Sequence, residues 1–371
     1  MKSPLCRTLF LVSLTLQFSA AAQAYSPLGH EIVGAIADAR LANTPTATRV
    51  HMLLGGLTLE KAAVIADQIR AWDKKGVDAP RSFHVSRPRY IDAQLRDFWR
   101  ANPPTSLDPG TPSHHWFHYT DVPVVPAQRY RDGSVGRSKW DVVHIIPFCI
   151  QVLQGQVPEQ NERKITKPVA LVLLAHYVGD IHQPLHVGAE YFDQQGRVTD
   201  PGKDRSALGD EGGNTFTLDL TDDPPRQRGA HRKKLHGFWD YDTVNALFPP
   251  VPSTLRKREF FAEVEPLKRE LVHEMASHEP ANWRLPANLN VNGYAEAWAD
   301  EILPFAREAH ARLEFRRVHP HQHEGRIVAT GQAIEKPTAN QMNYRSWSTD
   351  VVRQELHKAG WRLADLLEKI L

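Results

Sequence analysis

The stretch LVLLAHYVGDIHQPLHVG, at positions 171–188, holds three histidines and one aspartate within eleven residues. Its first half is apolar on every side, which is typical of a helix buried at the centre of a protein. His176 and Asp180 are four residues apart and share one helix face, whereas Pro184 ends the helix. His186 follows the proline and can turn back towards the same space. Because buried polar groups cost several kcal/mol unless they are satisfied, the pattern favours a metal site over hydrogen-bonded core histidines.

Other imidazole and carboxylate groups occur at positions that could supply the same site. Asp67 and Arg70 are three residues apart on a predicted helix, where the alternative is a surface ion pair that contributes little stability. The motif LHGFWD holds a second i, i+4 pair. The candidate ligands are His30, Asp67, His118, His176, Asp180, His186, His236 and Asp240. The set lacks a thiolate and suits a catalytic zinc site, and its size suits two or three ions.

Helices must position most of these residues, because apolar residues recur at helical spacing along the chain. We predict helices at 58–73, 138–154, 166–181, 256–278, 291–315 and 346–371. Thr166 is the expected N-cap of the helix that carries the central motif. No region is rich in strand patterns. The predicted fold class is therefore all-α, and the length of 371 residues allows one large domain or two.

Several segments outside these helices are predicted to be loops. The segment 73–112 is rich in Pro, Arg and Asp and reads as a long surface insertion. GDEGGN at 209–214 is expected to form a tight turn in which glycines let the backbone approach a ligand. His114 and His115 are expected to face solvent, and the histidine-rich run 319–323 is expected to be a surface loop.

The first 24 residues have the pattern of a secretory signal peptide. Lys2 and Arg7 precede an apolar core, and Ala-Gln-Ala before Tyr25 forms a cleavage site. We therefore expect an exported protein, periplasmic or secreted, that begins at Tyr25. Without Lys2 and Arg7, the 45 basic residues fall to 43 and equal the 43 acidic residues. No bulk positive field then attracts a polyanion, so phosphate binding must be local.

Cysteine content and hydropathy argue against a disulfide-bonded protein and against a membrane-anchored one. Cys6 lies in the signal segment, which leaves Cys149 as the only cysteine and excludes an internal disulfide. The longest remaining apolar run is too short to span a bilayer, so no membrane anchor is expected.

Five separated motifs carry a resemblance to a known family. They are YSPLGH, IADQIR, WFHYTDVP, HYVGDIHQPLHVG with DEGGN, and LHGFWD, and the ending AGWRLADLLEKIL matches as well. In these motifs the chain resembles the S1/P1 nucleases, zinc-dependent phosphodiesterases of the phospholipase C/P1 nuclease fold. The resemblance runs from Tyr25 to the C-terminus, and it implies that fold for the whole of this region, as a single compact helical domain over residues 25–371 with long loops around a metal cleft.

The resemblance also implies three zinc ions at the bottom of a cleft. One ion would be held by Asp67, His118, His176 and Asp180. A second would be held by His186, His236 and Asp240. The third would take His30, Asp180 as a bridge, and the amino nitrogen and carbonyl oxygen of Tyr25.

The implied reaction is hydrolysis of single-stranded DNA or RNA to 5′-nucleotides by a zinc-activated hydroxide, together with dephosphorylation of 3′-nucleotides. In this reaction Arg70 would neutralise charge on the phosphoryl oxygens, and Asp67 would orient both metal and arginine. Tyr119 would stack on a base, Asp121 would bind its edge, and Asn214 would help to place the substrate. No obligate protein partner is implied.

The chain departs from the family pattern in two places. Tyr25 stands where the family usually has Trp, and Ser26 where it usually has Gly. The implied ligand atoms of Tyr25 belong to the backbone, so the third ion is still expected. The segment between Asp67 and His118 is also longer than usual, which bears on substrate preference.

Two other functions remain open at this point. A phospholipase C would share the fold and the three ions but cleave a lipid phosphodiester. Asp240 and the GGN turn favour the nuclease, because the phospholipases use a glutamate at the corresponding ligand position. The other alternative is a zinc-binding protein without catalytic activity, against which the full ligand set and Arg70 argue.

Overall fold

The structure is a computed structural model that describes residues 25–79, 82–85, 87–104, 112–223, 233–250, 257–337 and 342–371. The predicted signal peptide lies outside these residues. Parts of the predicted insertion 73–112 lie outside them as well, at 80–81, 86 and 105–111.

Eight helices of nine or more residues dominate the described part of the chain. They are α1 (Pro27–Leu41), α2 (Pro45–Leu53), α3 (Arg89–Ala101), α4 (Val142–Leu153), α5 (Lys167–Asp180), α6 (Lys257–Ser277), α7 (Tyr294–Ala311) and α8 (Tyr344–Ile370). The mostly helical fold predicted from the sequence is confirmed.

Helix α5 lies at the centre of the core. Every residue from Val169 to Asp180 is buried, and α5 packs against α1, α3, α4 and α8. As predicted, Thr166 caps it by accepting a hydrogen bond from the backbone N–H of Val169. The chain then turns through the 3₁₀ segment Pro184–His186, because a helix cannot continue through the proline. Both ends of the central motif are therefore set by local sequence.

The predicted helix 58–73 is not continuous. It forms three short segments, Leu59–Ala62, Ile65–Gln68 and Ala71–Lys75. At the first break, the carbonyl of Ala63 accepts a hydrogen bond of 2.6 Å from Nδ1 of His176. Periodicity alone does not predict this break, because the partner of the carbonyl lies on another helix.

Strands are few, as predicted, but the described residues include a sheet that the sequence did not predict. Four strands of two residues form two small pairs: β1 (Val122–Pro123) with β2 (Gly188–Ala189), and β3 (Tyr191–Phe192) with β4 (Leu208–Gly209). A larger sheet contains β5 (Phe216–Asp219), β6 (Leu313–His323) and β7 (Arg326–Glu335) in the order β5-β7-β6. In this sheet β5 is parallel to β7, and β6 is antiparallel to β7.

The β6–β7 hairpin replaces two predicted features. The predicted helix 291–315 ends at Ala311, and the histidine-rich run 319–323 belongs to β6 instead of a loop. The two-residue turn Glu324-Gly325 has positive φ at both positions, 45° and 80°. This backbone geometry suits the right-handed twist of paired strands and makes a tight hairpin.

The predicted helices 256–278 and 346–371 match α6 and α8 to within two residues at each end, and 138–154 begins four residues before α4, whereas no bounds were predicted for α2 and α3. Among the described residues, no helix combines the length and apolar character needed to cross a membrane. Cys149 is buried and free, as the cysteine count requires.

Candidate metal centre and cleft

Asp180, at the end of α5, lies at the centre of a group of imidazoles. Its Oδ1 atom is 3.3 Å from Nε2 of His30 on α1. Its Oδ2 atom is 3.0 Å from Nδ1 of His118 and 3.3 Å from Nε2 of His176. The carboxylate is fully buried and directs one oxygen towards each of two groups. A bridging ligand requires this placement.

The first group contains Asp67, His118 and His176, whose donor atoms lie within 4.8 Å of one another. His118 Nδ1 and His176 Nε2 are 3.1 Å apart, and Asp67 Oδ1 is 3.8 Å from His176 Nε2. Three elements supply these residues: the short helix Ile65–Gln68, the 3₁₀ segment His114–His118, and α5. The structure thus brings together residues that are more than a hundred positions apart in sequence.

The second group contains His186, His236 and Asp240. His236 lies on the short helix Leu235–Gly237, and Asp240 lies on the π-helical turn Phe238–Asp242 that follows it. The Nε2 atom of His236 is 3.4 Å from Asp240 Oδ2, and that of His186 is 3.9 Å from Asp240 Oδ1. The predicted i, i+4 pair is therefore kept although the helix widens there, which is common at functional sites.

In this group the Nε2 atoms of His186 and His236 face each other. His186 Nδ1 donates to the carbonyl of His118 at 2.8 Å, and His236 Nδ1 donates to that of Gly212 at 2.8 Å. Burial lowers the pKa of both rings, that of His236 to about 4, so both are neutral near pH 7. Each Nε2 then carries a lone pair, and the two Nε2 atoms are 3.1 Å apart. Two lone pairs at this distance repel each other unless a cation lies between them.

The third group is formed around His30. Its ring stacks on that of His176 with centroids 3.8 Å apart, and the ring of Tyr25 meets its edge. Tyr25 is completely buried, and its hydroxyl donates to the carbonyl of His182 at 3.0 Å. The next residue, Ser26, donates its N–H to the carbonyl of Asp240 at 2.8 Å. Ligation by the Tyr25 amine and carbonyl stays a prediction.

Unsatisfied buried polar atoms test whether these residues fit a metal. Among the described residues, atoms without a hydrogen-bond partner include both ring nitrogens of His30, both oxygens of Asp67, Oδ1 of Asp180 and Oδ2 of Asp240. Each such group costs about 1–3 kcal/mol. Burial raises the pKa of all three carboxyl groups, that of Asp67 to about 6. A divalent cation with nitrogen and oxygen ligands would satisfy these atoms, so the residues fit zinc.

A cleft lies directly over this floor of ligands. It is lined by all four of the residues predicted to act on substrate without binding metal: Arg70, Tyr119, Asp121 and Asn214. His118, His186 and His236 line it too. The structure therefore brings the predicted ligands and the predicted substrate-binding residues to one place.

The predicted turn at 209–214 is present, but its glycines approach protein instead of a ligand. Gly212 has φ of 58°, and a Cβ atom there would lie 2.0 Å from the carbonyl oxygen of Leu185. Only glycine fits this position. Its carbonyl orients the ring of His236, so the turn supports the second ligand group.

His114 and His115 do not face solvent as predicted. Both form hydrogen bonds to Asp73, at 3.1 and 2.7 Å, and Trp99 donates to the same carboxylate at 2.7 Å. Burial alone would raise the pKa of Asp73, but the two histidines hold it well below its usual range. Both oxygens of Asp73 are satisfied, unlike those of Asp67, although Nδ1 of His114 has no hydrogen-bond partner among the described residues.

Sequence reasoning missed six residues that line the cleft: His115, Leu185, Glu211, His323, Glu324 and Arg326. Three of them lie at the tip of the β6–β7 hairpin. The signal that predicts the hairpin is the dipeptide Glu-Gly between alternating residues in HPHQHEGRIVAT. That signal places a turn in the chain, but it does not place the turn over the cleft.

Comparisons with known proteins show a family match and several relatives. The family described as S1/P1 Nuclease matches residues 25–371. Endonuclease 4 of Arabidopsis thaliana is 25% identical over 206 residues, which are 52% of this chain and 58% of that protein. Endonuclease 1 of the same plant is 24% identical over 218 residues, which are 54% and 61% of the two chains.

The alignments thus span less than two thirds of the length of these relatives. The family match, in contrast, covers the whole described chain, including every residue of the three ligand groups and the cleft. The chain belongs to the S1/P1 nuclease family.

Proposed function

We propose that this protein is a zinc-dependent endonuclease that hydrolyses single-stranded DNA and RNA to 5′-nucleotides and also dephosphorylates 3′-nucleotides. One observation carries the proposal: imidazoles of two buried ligand groups line a cleft that also contains Arg70 and Tyr119, and the third group shares His176 with the first. The imidazoles and carboxylates suit metal-assisted hydrolysis. Arg70 and Tyr119 suit a ligand that carries a negative charge and an aromatic base. Membership of the nuclease family supports the same conclusion.

Three zinc ions would be held by the residue sets named above, with Asp180 shared between two of them. When bound, zinc supplies Lewis-acid activation of water and of the phosphodiester. The protein keeps the ligands ready for this, because backbone carbonyls hold Nδ1 of His176, His186 and His236. These hydrogen bonds fix the tautomer and leave Nε2 for the metal.

The other cleft residues would bind and orient the substrate. The guanidinium of Arg70 would donate to the phosphoryl oxygens and offset the charge that develops on them. The face of Tyr119 would stack on a base, which tolerates any base and suits low sequence specificity. Asp121 and Asn214 would bind polar atoms of the nucleotide, and Asn214 is already held by its side-chain hydrogen bond to the Glu211 carbonyl.

The extent of the family match supports a single catalytic domain at 25–371. The N-terminal pattern of charged, apolar and small residues supports export to the periplasm or beyond. Zinc ligation would then staple a chain that has no disulfide to do so.

A paired assay tests the proposal on protein that begins at Tyr25. Single-stranded DNA, single-stranded RNA, 3′-AMP and phosphatidylcholine are offered separately, with and without a chelator, and zinc per chain is counted by native mass spectrometry. Chelator-sensitive release of 5′-nucleotides by a protein with three bound zinc ions is the expected result. Cleavage of the lipid alone would identify a phospholipase instead. Bound zinc without any activity would identify a binding protein.

A further inference from the structure

The tip of the β6–β7 hairpin forms one wall of the cleft. The strands end at the tight turn Glu324-Gly325, and the residues beside the turn point to the side where Tyr119 and Asp121 lie. Sheet pairing with β5 fixes the hairpin, since β5 follows directly after the turn that holds His236. The hairpin tip is therefore positioned by the same segment that positions a metal ligand.

Arg326 connects this wall to the predicted base platform. Its Nη2 atom donates to Glu211 Oε1 at 2.8 Å and to the hydroxyl of Tyr119 at 3.3 Å. The other carboxylate oxygen of Glu211, Oε2, accepts a hydrogen bond from Nδ1 of His323 at 2.7 Å. The guanidinium is thus fixed beside the edge of the Tyr119 ring, where the edge of a stacked base would lie.

The guanidinium still has the capacity to bind a ligand. A guanidinium offers five N–H donors, and both bonds described above use Nη2. The side chain of Arg326 remains 41% exposed although its residue lines the cleft. The phenolate that Tyr119 forms only at high pH, and the carboxylate of Glu211, raise the pKa of Arg326, so it stays a cation.

Asp121 places a carboxylate in the same part of the cleft. Asp121 and Arg326 line the same cleft, and the charge of Arg326 opposes the rise that burial causes in the pKa of Asp121, to about 7. The cleft therefore offers a planar donor, a carboxylate and an aromatic face to one base.

Guanine is the base that matches this combination. Its O6 and N7 atoms accept two hydrogen bonds from an arginine, and its N1–H and N2–H₂ groups donate to a carboxylate. Adenine presents an amino group where guanine has O6, and this group would face the guanidinium donors. Pyrimidines lack the N7 acceptor.

We propose that Arg326 contacts the base of the substrate and, together with Asp121, makes guanine the preferred base at this subsite. The proposal rests on the proposed nuclease function. It adds a specificity residue on the hairpin to a platform whose stacking alone would accept every base.

Dinucleotide hydrolysis by variants of Arg326 tests the proposal. Rates on GpG, ApA, CpC and UpU are compared with the rate on bis(4-nitrophenyl) phosphate, which has no base. The wild-type protein is expected to show a kcat/KM for GpG roughly tenfold above that for ApA. Arg326→Met should bring this ratio close to one, mainly through KM, and should lower the rate on bis(4-nitrophenyl) phosphate far less than the rate on GpG.

Two further variants separate base contact from support of the hairpin. Arg326→Lys keeps the charge but lacks the planar fork, so it should also lose the guanine preference. Arg316→Met, in an exposed ion pair with Glu314 on the same hairpin, should leave all rates unchanged. A uniform loss on every dinucleotide in Arg326→Met, with the ratio preserved, would overturn the proposal in favour of a structural role through Tyr119.

Equilibrium binding separates this proposal from the nuclease function itself. Calorimetry with 5′-GMP and 5′-AMP should show tighter binding of GMP to the wild-type protein and equal binding to Arg326→Met. Equal binding of both nucleotides by the wild-type protein would refute the guanine preference. Absence of hydrolysis of every substrate would refute the proposed function, and the binding result would still decide the role of Arg326.

Discussion

At the scale of single residues, tautomers organise the candidate metal centre. Backbone carbonyls take the Nδ1 protons of three histidines, so the Nε2 lone pair of each ring is left for its ligand group. Burial lowers the pKa of these rings and removes protonation as an alternative way to relieve the repulsion. The ligand groups are thus arranged for a cation before any substrate enters.

Asp180→Asn tests the shared carboxylate. One oxygen of Asp180 faces His30 and the other faces His118 and His176, so an amide should weaken two of the three proposed zinc sites together. We expect zinc per chain to fall from three to one and activity to fall at least roughly hundredfold. Asp97→Asn, at an exposed helical position, serves as the control. Full zinc content in Asp180→Asn would contradict the bridging role.

Arg70→Met separates charge stabilisation from metal binding. Arg70 lines the cleft but is not a ligand, so zinc content should stay unchanged. Loss of its donors should lower kcat by roughly two orders of magnitude, with a smaller change in KM. Zinc analysis and steady-state kinetics on single-stranded DNA measure the two quantities. A change confined to KM would assign Arg70 to ground-state binding only.

At the scale of elements, glycines let helices approach closely enough to form the site. Helix α1 meets α5 at Gly179, where a Cβ atom would lie 2.8 Å from Nδ1 of His30. Helix α1 meets α8 at Gly360, where a Cβ atom would lie 2.5 Å from the side chain of Ile36. Side chains at these positions would force the helices apart, and His30 would then move away from Asp180.

Gly179→Ala tests this geometry. The added methyl group should displace the ring of His30 and weaken the proposed third zinc site, while overpacking lowers the free energy of unfolding by about 1–3 kcal/mol. Zinc per chain and urea unfolding are the measurements. Gly237→Ala is a matched control, because a Cβ atom at this helical glycine meets nothing within 4 Å. If both variants keep every zinc ion, close packing at Gly179 does not position His30.

At the scale of the whole molecule, a buried ion pair links the helical core to the turn beneath the sheet. His310 on α7 lies 3.0 Å from Asp210, and Asp210 also accepts a hydrogen bond from the N–H of Glu190. Burial by itself lowers the pKa of His310, but the charge and hydrogen bond of Asp210 outweigh it and raise the pKa to about 9. Glu190 also faces this pair, and burial raises its pKa to about 7.

This pair predicts a pH-dependent stability. Because the pKa of His310 is higher in the folded state, its stabilisation is fully present below about pH 6.5 and is lost as pH rises through about 9. His310→Gln should therefore be less stable than the wild type by on the order of 2 kcal/mol at pH 6, and the difference should shrink towards pH 10. Urea unfolding of zinc-saturated protein measures it. Because the charge of His310 also lowers the pKa of Glu190, both proteins are compared in a Glu190→Gln background, and a difference constant across pH would refute the assignment.

The central helix and its ligands could be predicted from the sequence because their determinants are local. Thr166 caps α5, Pro184 ends the turn after it, and the i, i+4 spacings of His176 with Asp180 and of His236 with Asp240 put each pair on one face. The sequence resemblance added Tyr25, the grouping of the ligands and the substrate-binding residues, and the structure brings these substrate-binding residues to one cleft with imidazoles of two ligand groups.

Tertiary structure decided the rest, because the relevant partners are far apart in sequence. The stacking of His30 on His176 depends on how closely α1 can approach α5. The pairing of β5 with β7 joins residues more than a hundred positions apart, and only this pairing places Arg326 beside Tyr119. The alternation of apolar and polar residues over 312–335 is also too weak to predict strands directly after a clear helical pattern. Local patterns specify elements, but packing between distant elements decides which side chains meet in the cleft.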